Sequence, residues 1–203
     1  MNKYTTEFIG TFFLVMAAGL AGGDHAVLII ASALMVMIYA GGHISGAHYN
    51  PAVTLAVLIR GKCTLNDAII YWVVQFAGAA VAAFTVTYFK GASATPMVLE
   101  DTTKAIVAEI LGTFALAYVV LNVATAKGTS GNSFYGLAIG FTVFSMGSLL
   151  GGYSGGAFNP AVAVGASIMK AFDWSNIWIY LVGCFAAAAL AAVVFKINNA
   201  GDK

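Results

Sequence analysis

The sequence predicts an all-α membrane protein: six helices that cross the bilayer and two shorter helices that dip into it from opposite faces. Three observations carry that prediction. The chain is 61% apolar and only 8% charged, with mean hydropathy +0.90, whereas soluble domains have about 25% charged residues. One motif, Ser-Gly-x-x-aromatic-Asn-Pro-Ala-Val, occurs twice, at Ser45–Val53 and Ser154–Val162. Each copy lies in a half that opens on Glu-x-x-Gly-Thr-Phe, beginning at Glu7 and Glu109. A net charge of +1 offers no basic patch to a nucleic acid. Cys63 falls beside a turn and Cys184 inside an apolar segment, so both read as free thiols.

The repeated motif sets the architecture. Asn followed by Pro and an apolar run is a helix start: the Asn side chain accepts from orphan backbone N–H groups, and Pro at the first helical position gives up no hydrogen bond. Each copy follows a Gly-Gly pair, Gly41-Gly42 and Gly151-Gly152, so the expected loops are 42–49 and 152–158. The apolar runs after them, 52–59 and 161–169, fall short of the about 20 residues a span requires. They read as half-helices.

In chain order the first span is 5–22, with a tight turn at Gly23-Asp24-His25, and the second is 26–40. The first loop and half-helix lead through a polar connection, 60–67, to a third span at 68–89 containing Gln75. Residues 90–104 are the longest hydrophilic stretch. The fourth span is 105–126, the fifth 134–150, and the second loop and half-helix lead to a sixth at 174–195. Gly136 and Gly140, four apart, suit a close helix crossing in lipid. Tyr71, Trp72, Trp174 and Trp178 near span ends read as interfacial anchors, and Met35, Met37 and Met146 as packing.

Halves 1–90 and 104–197, joined by loop 91–103, each contain three spans, an odd number. The second half must therefore start from the opposite face, an inverted repeat of the kind that places a solute site at mid-depth. With both termini cytoplasmic, Lys3, Arg60, Lys62, Lys127, Lys196 and Lys203 face inward against Lys90, Lys104 and Lys170 outside, as the positive-inside rule prefers.

Twin Asn-Pro-Ala half-helices, paired Glu-x-x-Gly-Thr-Phe openings, and Gly42-His-Ile-Ser-Gly-Ala-His48 before the first Asn resemble the aquaporin, or major intrinsic protein, family over nearly the whole chain. The resemblance implies a six-helix bundle whose half-helices meet at the centre. It also implies a homotetramer with a pore in each subunit, in a cell (inner) membrane, passing water and small neutral solutes without catalysis or cofactor. The motif residues are Asn50, Pro51, Ala52, Asn159, Pro160 and Ala161.

The residues supply a mechanism of their own. Irregular backbone at membrane depth has to be satisfied by protein or water, so the two loops are expected to line an aqueous path with carbonyl acceptors. Asn50 and Asn159 offer amide donors where the half-helices meet. Two helix N-termini, each carrying roughly +0.5 charge, oppose a cation there and let a neutral dipole pass. Carboxylates inside apolar spans suggest function by default. The resemblance instead casts Glu7 and Glu109 as loop scaffold, with His43 and His48 buttressing the first loop; no third ligand accompanies the histidines to make a metal site.

By the same resemblance, the outer selectivity filter falls at Ile30, Gly147, Gly156 and Val162. Water-selective relatives usually have an aromatic, a His, a small residue and an Arg there. Val for Arg removes a fixed cation and five donors, and Gly for His removes a polar ring, which predicts a wide, weakly polar constriction admitting glycerol, urea, ammonia or methylated metalloids. Val164 stands where glycerol-type relatives usually have an Asp. A few bacterial members with this Val are associated with methylated arsenicals. The last span also lacks the usual Pro, with Gly183 near its place. The alternatives are a water-selective channel, an ion-coupled transporter using Glu7 and Glu109, and an intramembrane protease using Ser45 or Ser154 with His48; the last leaves the duplicated Asn-Pro-Ala without a role.

Overall fold

The computed structural model describes residues 2–91 and 95–202. Eight α-helices follow in order: α1 (Asn2–Leu20), α2 (Ala26–Ser45), α3 (Pro51–Arg60), α4 (Leu65–Lys90), α5 (Thr102–Val120), α6 (Tyr135–Ser154), α7 (Pro160–Ile168) and α8 (Ile177–Asn198). Among the described residues there is no strand, only a single bridge between Met97 and Phe172. Helices α2, α4, α6, α8, and α5 with its extension, are long and apolar enough to cross a membrane. Helix α1, which carries Lys3 and Glu7, takes its place by packing on α2 and α4.

Local chemistry explains the boundaries. Thr64 caps α4 by accepting from the Asp67 N–H, and Asp101 caps α5 through Thr103 and Lys104. The Gly-Gly pairs do not end α2 and α6, as the sequence reading expected. Both helices run on through them to Ser45 and Ser154, because glycine weakens a helical turn without breaking it. The stop comes at Gly46 and Gly155, both left-handed at φ 86°, a conformation glycine adopts without strain. The irregular loops are therefore shorter than expected. Past Val120, α5 continues as a π-helical turn, Leu121–Thr125, whose Val123 carbonyl accepts from Asn132 Nδ2 at 2.7 Å.

Each half reaches into the other. Helix α3 packs on α8, and α7 packs on α4, so each short helix is held by a long helix of the opposite half. Helices α2 and α6 cross where expected: a Cβ on Gly140 would stand 2.8 Å from Met35 Cβ and 3.0 Å from the Ala31 carbonyl. Helix α8 runs unbroken past Gly183, which faces Glu109 and Ile106 of α5.

Candidate functional site

Both loops are built on a buried carboxylate. Glu7 Oε1 accepts from Ser45 Oγ (2.7 Å) and the His48 N–H (2.9 Å), and Oε2 from the Tyr49 N–H (2.7 Å). Glu109 Oε1 accepts from Ser154 Oγ (2.7 Å) and the Ala157 N–H (3.0 Å), and Oε2 from the Phe158 N–H (2.7 Å). Such charge-assisted bonds contribute about 1.5–3 kcal/mol each. They hold a strained backbone: Ala47, Tyr49 and Phe158 sit at φ 51°, 49° and 47°, at a cost of about 1 kcal/mol or more apiece.

The two asparagines are reciprocal. Asn50 Oδ1 accepts from the Ala52 and Val53 N–H groups and Asn159 Oδ1 from those of Ala161 and Val162, so each caps its own helix. Asn50 Nδ2 donates to the Phe158 carbonyl and Asn159 Nδ2 to the Tyr49 carbonyl, both at 2.9 Å. Each amide therefore spends one hydrogen locking the tips of α3 and α7 together. Among the described residues the other hydrogen has no protein acceptor.

Both asparagines line a cavity of ≈ 260 Å³. One wall is aliphatic, with Leu34 and Ile38 of α2, Leu116 and Val120 of α5, and Val143 of α6. The other is loop: Ala47, His48, Gly155, Gly156 and Ala157. The lining thus combines the two asparagines and loop residues with aliphatic side chains. The cavity's one fixed cation among the described lining residues is Lys90, whose Nζ donates to the Gly19 carbonyl at 2.6 Å.

Of the four expected filter positions, Ile30, Gly156 and Val162 line this cavity. Gly147 does not line it; a Cβ there would stand 2.7 Å from Val27 Cγ1, so this residue brings α6 close to α2. Val143, one turn earlier, lines the cavity from α6. His48 also lines it, with Nδ1 3.1 Å from Thr54 Oγ1 and its ring edge-on to Tyr71. His43, expected beside it in the scaffold, is corrected. It is exposed, makes no scaffold bond among the described residues, and lines a separate cavity. Because α2 stays helical to Ser45, position 43 is turned away from the face that meets Glu7. Glu7 and Glu109 are fully buried and line neither cavity.

Sequence reading overlooked several contributors. Gly10 and Gly112 make room for the loop aromatics: a Cβ would collide with the Tyr49 ring at one and the Phe158 ring at the other. Their signal was the glycine shared by both Glu-x-x-Gly-Thr segments. Tyr71, taken as an interfacial anchor, is buried; its hydroxyl donates to the Ser45 carbonyl at 2.7 Å, as Tyr180 donates to Ser154 at 2.6 Å. Their equal spacing after Asn50 and Asn159 could have revealed them. Arg60, read as part of a polar connection, is buried and pairs with Asp202 at 2.7 Å.

The profile of the family described as Major intrinsic protein matches residues 1–195. The chain is 36% identical to Glycerol uptake facilitator protein-like 6 of Lactiplantibacillus plantarum (strain ATCC BAA-793 / NCIMB 8826 / WCFS1), all of both chains being covered. It is 34% identical to Aquaporin TIP1-1 of Zea mays over 94% of this chain and 84% of that one. The fold superposes on the aquaglyceroporin from Plasmodium falciparum with a TM-score of 0.82, covering 97% of this chain and 96% of that one, at 22% identity. The chain thus belongs to the major intrinsic protein family: it is a multi-pass membrane channel that passes water and small solutes passively, and not an enzyme.

Proposed function

We propose that this channel has a wide, weakly polar constriction and passes neutral solutes larger than water, such as glycerol, urea, ammonia and methylated metalloids, along with water itself. The observation that carries this reading is Val162. It lines the cavity three residues past Asn159, where a water filter would present a guanidinium. An isopropyl group there neither donates a hydrogen bond nor repels a cation, so selection at this level rests on size, with the paired amides of Asn50 and Asn159 deeper in the cavity and Lys90 elsewhere in its lining. Ile30 and Gly156 complete the opening, and Gly147 acts indirectly by letting α6 approach Val27. Glu7 and Glu109, engaged by loop donors and behind the residues that line the cavity, serve as scaffold rather than as ion-coupling groups. Orientation follows the lysine and arginine distribution, with both termini in the cytoplasm and the protein in the inner membrane. The halves are 1–90 and 104–197, and the assembly is a homotetramer.

Stopped-flow swelling of reconstituted vesicles with glycerol, urea and water tests the reading. Val162→Arg is expected to cut glycerol flux about tenfold and water flux far less. Glycerol flux unchanged by the substitution, or a wild-type channel that passes water alone, would overturn it. Glu7→Gln with Glu109→Gln separates scaffold from coupling: passive flux per folded channel persists in a channel and uphill uptake vanishes in a transporter.

A further inference from the structure

A second cavity, of ≈ 720 Å³, lies at the end of the molecule where α2 finishes and α6 begins. It lies beyond the first along the same helices. The helices that wall the long cavity each extend into it by about one turn: Ile38 gives way to Gly42 on α2, Val120 to Val123 beyond α5, and Ile139 to Tyr135 on α6, while Ala47 gives way to Gly46 in the loop. It thus stands as an antechamber on this side of the long cavity, the cytoplasmic one in the proposed orientation.

The antechamber is cationic. Its titratable side chains, apart from Tyr135, are His43, Lys62 and Lys127, and no Asp or Glu is among its lining residues. Asp202 lies near enough to feel the Lys127 charge, but its oxygens are engaged by other donors. Of the carboxylates on this face, Asp67 is taken by Lys3 Nζ at 2.8 Å and the Tyr4 hydroxyl at 2.8 Å. Asp202 is taken by Arg60 Nη2 and the Lys127 backbone N–H, both at 2.7 Å. Among the described residues neither the Lys62 nor the Lys127 ammonium has an ion-pair partner.

We propose that this antechamber is a cation-excluding filter, its charge supplied by Lys62 and Lys127, and that it takes over part of the barrier left open by Val162. Small monovalent cations, including the protonated forms of weak bases, are depleted before they reach the long cavity, while neutral solutes pass. The inference rests on the proposed reading of Val162 as a filter position without charge. Each ammonium at roughly 8 Å lowers local cation occupancy about twofold at low salt, and the effect fades when the Debye length falls to a few ångströms. Fixed charge at a mouth acts on ions and leaves uncharged permeants alone.

The test compares guanidinium and potassium leak with water and glycerol flux in the same vesicles, for wild type, Lys62→Gln/Lys127→Gln and Lys62→Glu/Lys127→Glu. Lys196→Glu, exposed on α8 and outside both cavities, controls for surface charge in general. The Glu pair is expected to raise cation leak about tenfold at ~10 mM salt, the Gln pair about threefold, and both to approach wild type near ~0.5 M. Neutral flux and the Lys196→Glu control stay unchanged. Equal cation leak in wild type and the Glu pair, with neutral flux intact, overturns the proposal, as does an equal rise in Lys196→Glu. Loss of the proposed filter reading registers separately, as glycerol flux indifferent to Val162→Arg.

Discussion

Around Glu7 the first loop sits in a polar cluster; around Glu109 the matching positions of the second loop are largely apolar. Gln75 Nε2 donates to Glu7 Oε2 at 2.9 Å and to Thr54 Oγ1 at 3.0 Å, and Thr54 in turn meets His48. In the second half the corresponding residues are Cys184, Ala163 and Ala157. There Thr113 Oγ1 donates to Cys184 Sγ at 3.2 Å, and the thiol lies 3.5 Å from Glu109 Oε2. What both halves keep is the set that fixes the backbone: the carboxylate, Ser45 and Ser154, the helix-capping asparagines, the two buried tyrosines, and the glycines facing Tyr49 and Phe158. The comparison separates the groups a re-entrant loop needs from those that only reinforce one copy.

The sharpest way to break that distinction is to remove each carboxylate. Glu7→Gln and Glu109→Gln both place an amide NH2 against backbone donors, so each should lower unfolding free energy in detergent by about 3 kcal/mol or more. Glu7→Gln is expected to cost about 1 kcal/mol beyond Glu109→Gln, because Gln75 loses a charged acceptor as well. Losses below about 1 kcal/mol in both would show that packing of Tyr49 and Phe158, rather than the carboxylates, sets the loop conformation.

A second comparison isolates the reinforcement. Gln75→Ala removes a buried amide that bridges a carboxylate and a hydroxyl, with an expected loss of about 2–3 kcal/mol. Cys184→Ala removes a weak donor and a small volume, with an expected loss of about 1 kcal/mol. Thermal unfolding of the two variants ranks them, and the reverse order would place the heavier polar support in the second half.

Most of this site was legible in the sequence because its parts recur. The duplicated Asn-Pro-Ala gave the two half-helices and the cap on each, while the bond from each amide to the other loop's carbonyl was not foreseen; the paired glutamates marked the place, and the family resemblance rather than the residues suggested a scaffold. What escaped lacked either a repeat or a local signal. His43 sits in a motif, yet whether it faces the loop depends on how far α2 stays helical, which glycine content alone does not decide. Gly147 stands at the spacing from Asn159 that the family resemblance assigns to the filter, but whether its Cα points at the cavity or at Val27 is set by the α2–α6 crossing. The Arg60–Asp202 pair joins residues more than a hundred apart, one of which looks like an ordinary turn cation.

That pair opens a pH-dependent contrast. At the end of α3 stands buried Arg60, its guanidinium over the Phe195 ring and paired with Asp202; the corresponding residue after α7 is Met169, packed among Val15, Ala79 and Ala83. The Lys127 N–H, and after it the Arg60 charge, hold the Asp202 carboxyl below its usual range. A carboxylate depressed in the folded state stabilises fully above its unfolded value, near pH 4, and loses that contribution as pH falls through the folded value. Asp202→Asn should therefore be less stable than wild type at pH 7, with the difference closing below about pH 4. Its 127–132 turn should be nicked faster by trypsin at Lys127. A stability difference independent of pH would assign the anchor to packing on Phe195 instead.

The smallest expected effect tests the halves where they end. Gly61 follows α3 at φ 82° and Lys170 follows α7 at φ 61°, each donating its N–H back to a carbonyl of the last turn. The backbone task is the same, but one half performs it with a residue free to adopt a left-handed conformation and the other with one that is not. No atom lies within 4 Å of a Cβ built on Gly61, so Gly61→Ala adds no clash and its cost is conformational, about 1 kcal/mol. Lys170 is exposed, so Lys170→Gly removes little contact and is expected to stabilise by about 0.5–1 kcal/mol. Opposite signs of similar size, measured by denaturant unfolding, would show that both turns are held in place by the helices they end. A loss on Lys170→Gly would mean instead that the lysine side chain contributes more than the strain it imposes, and that the second half has found a compensation the first did not need.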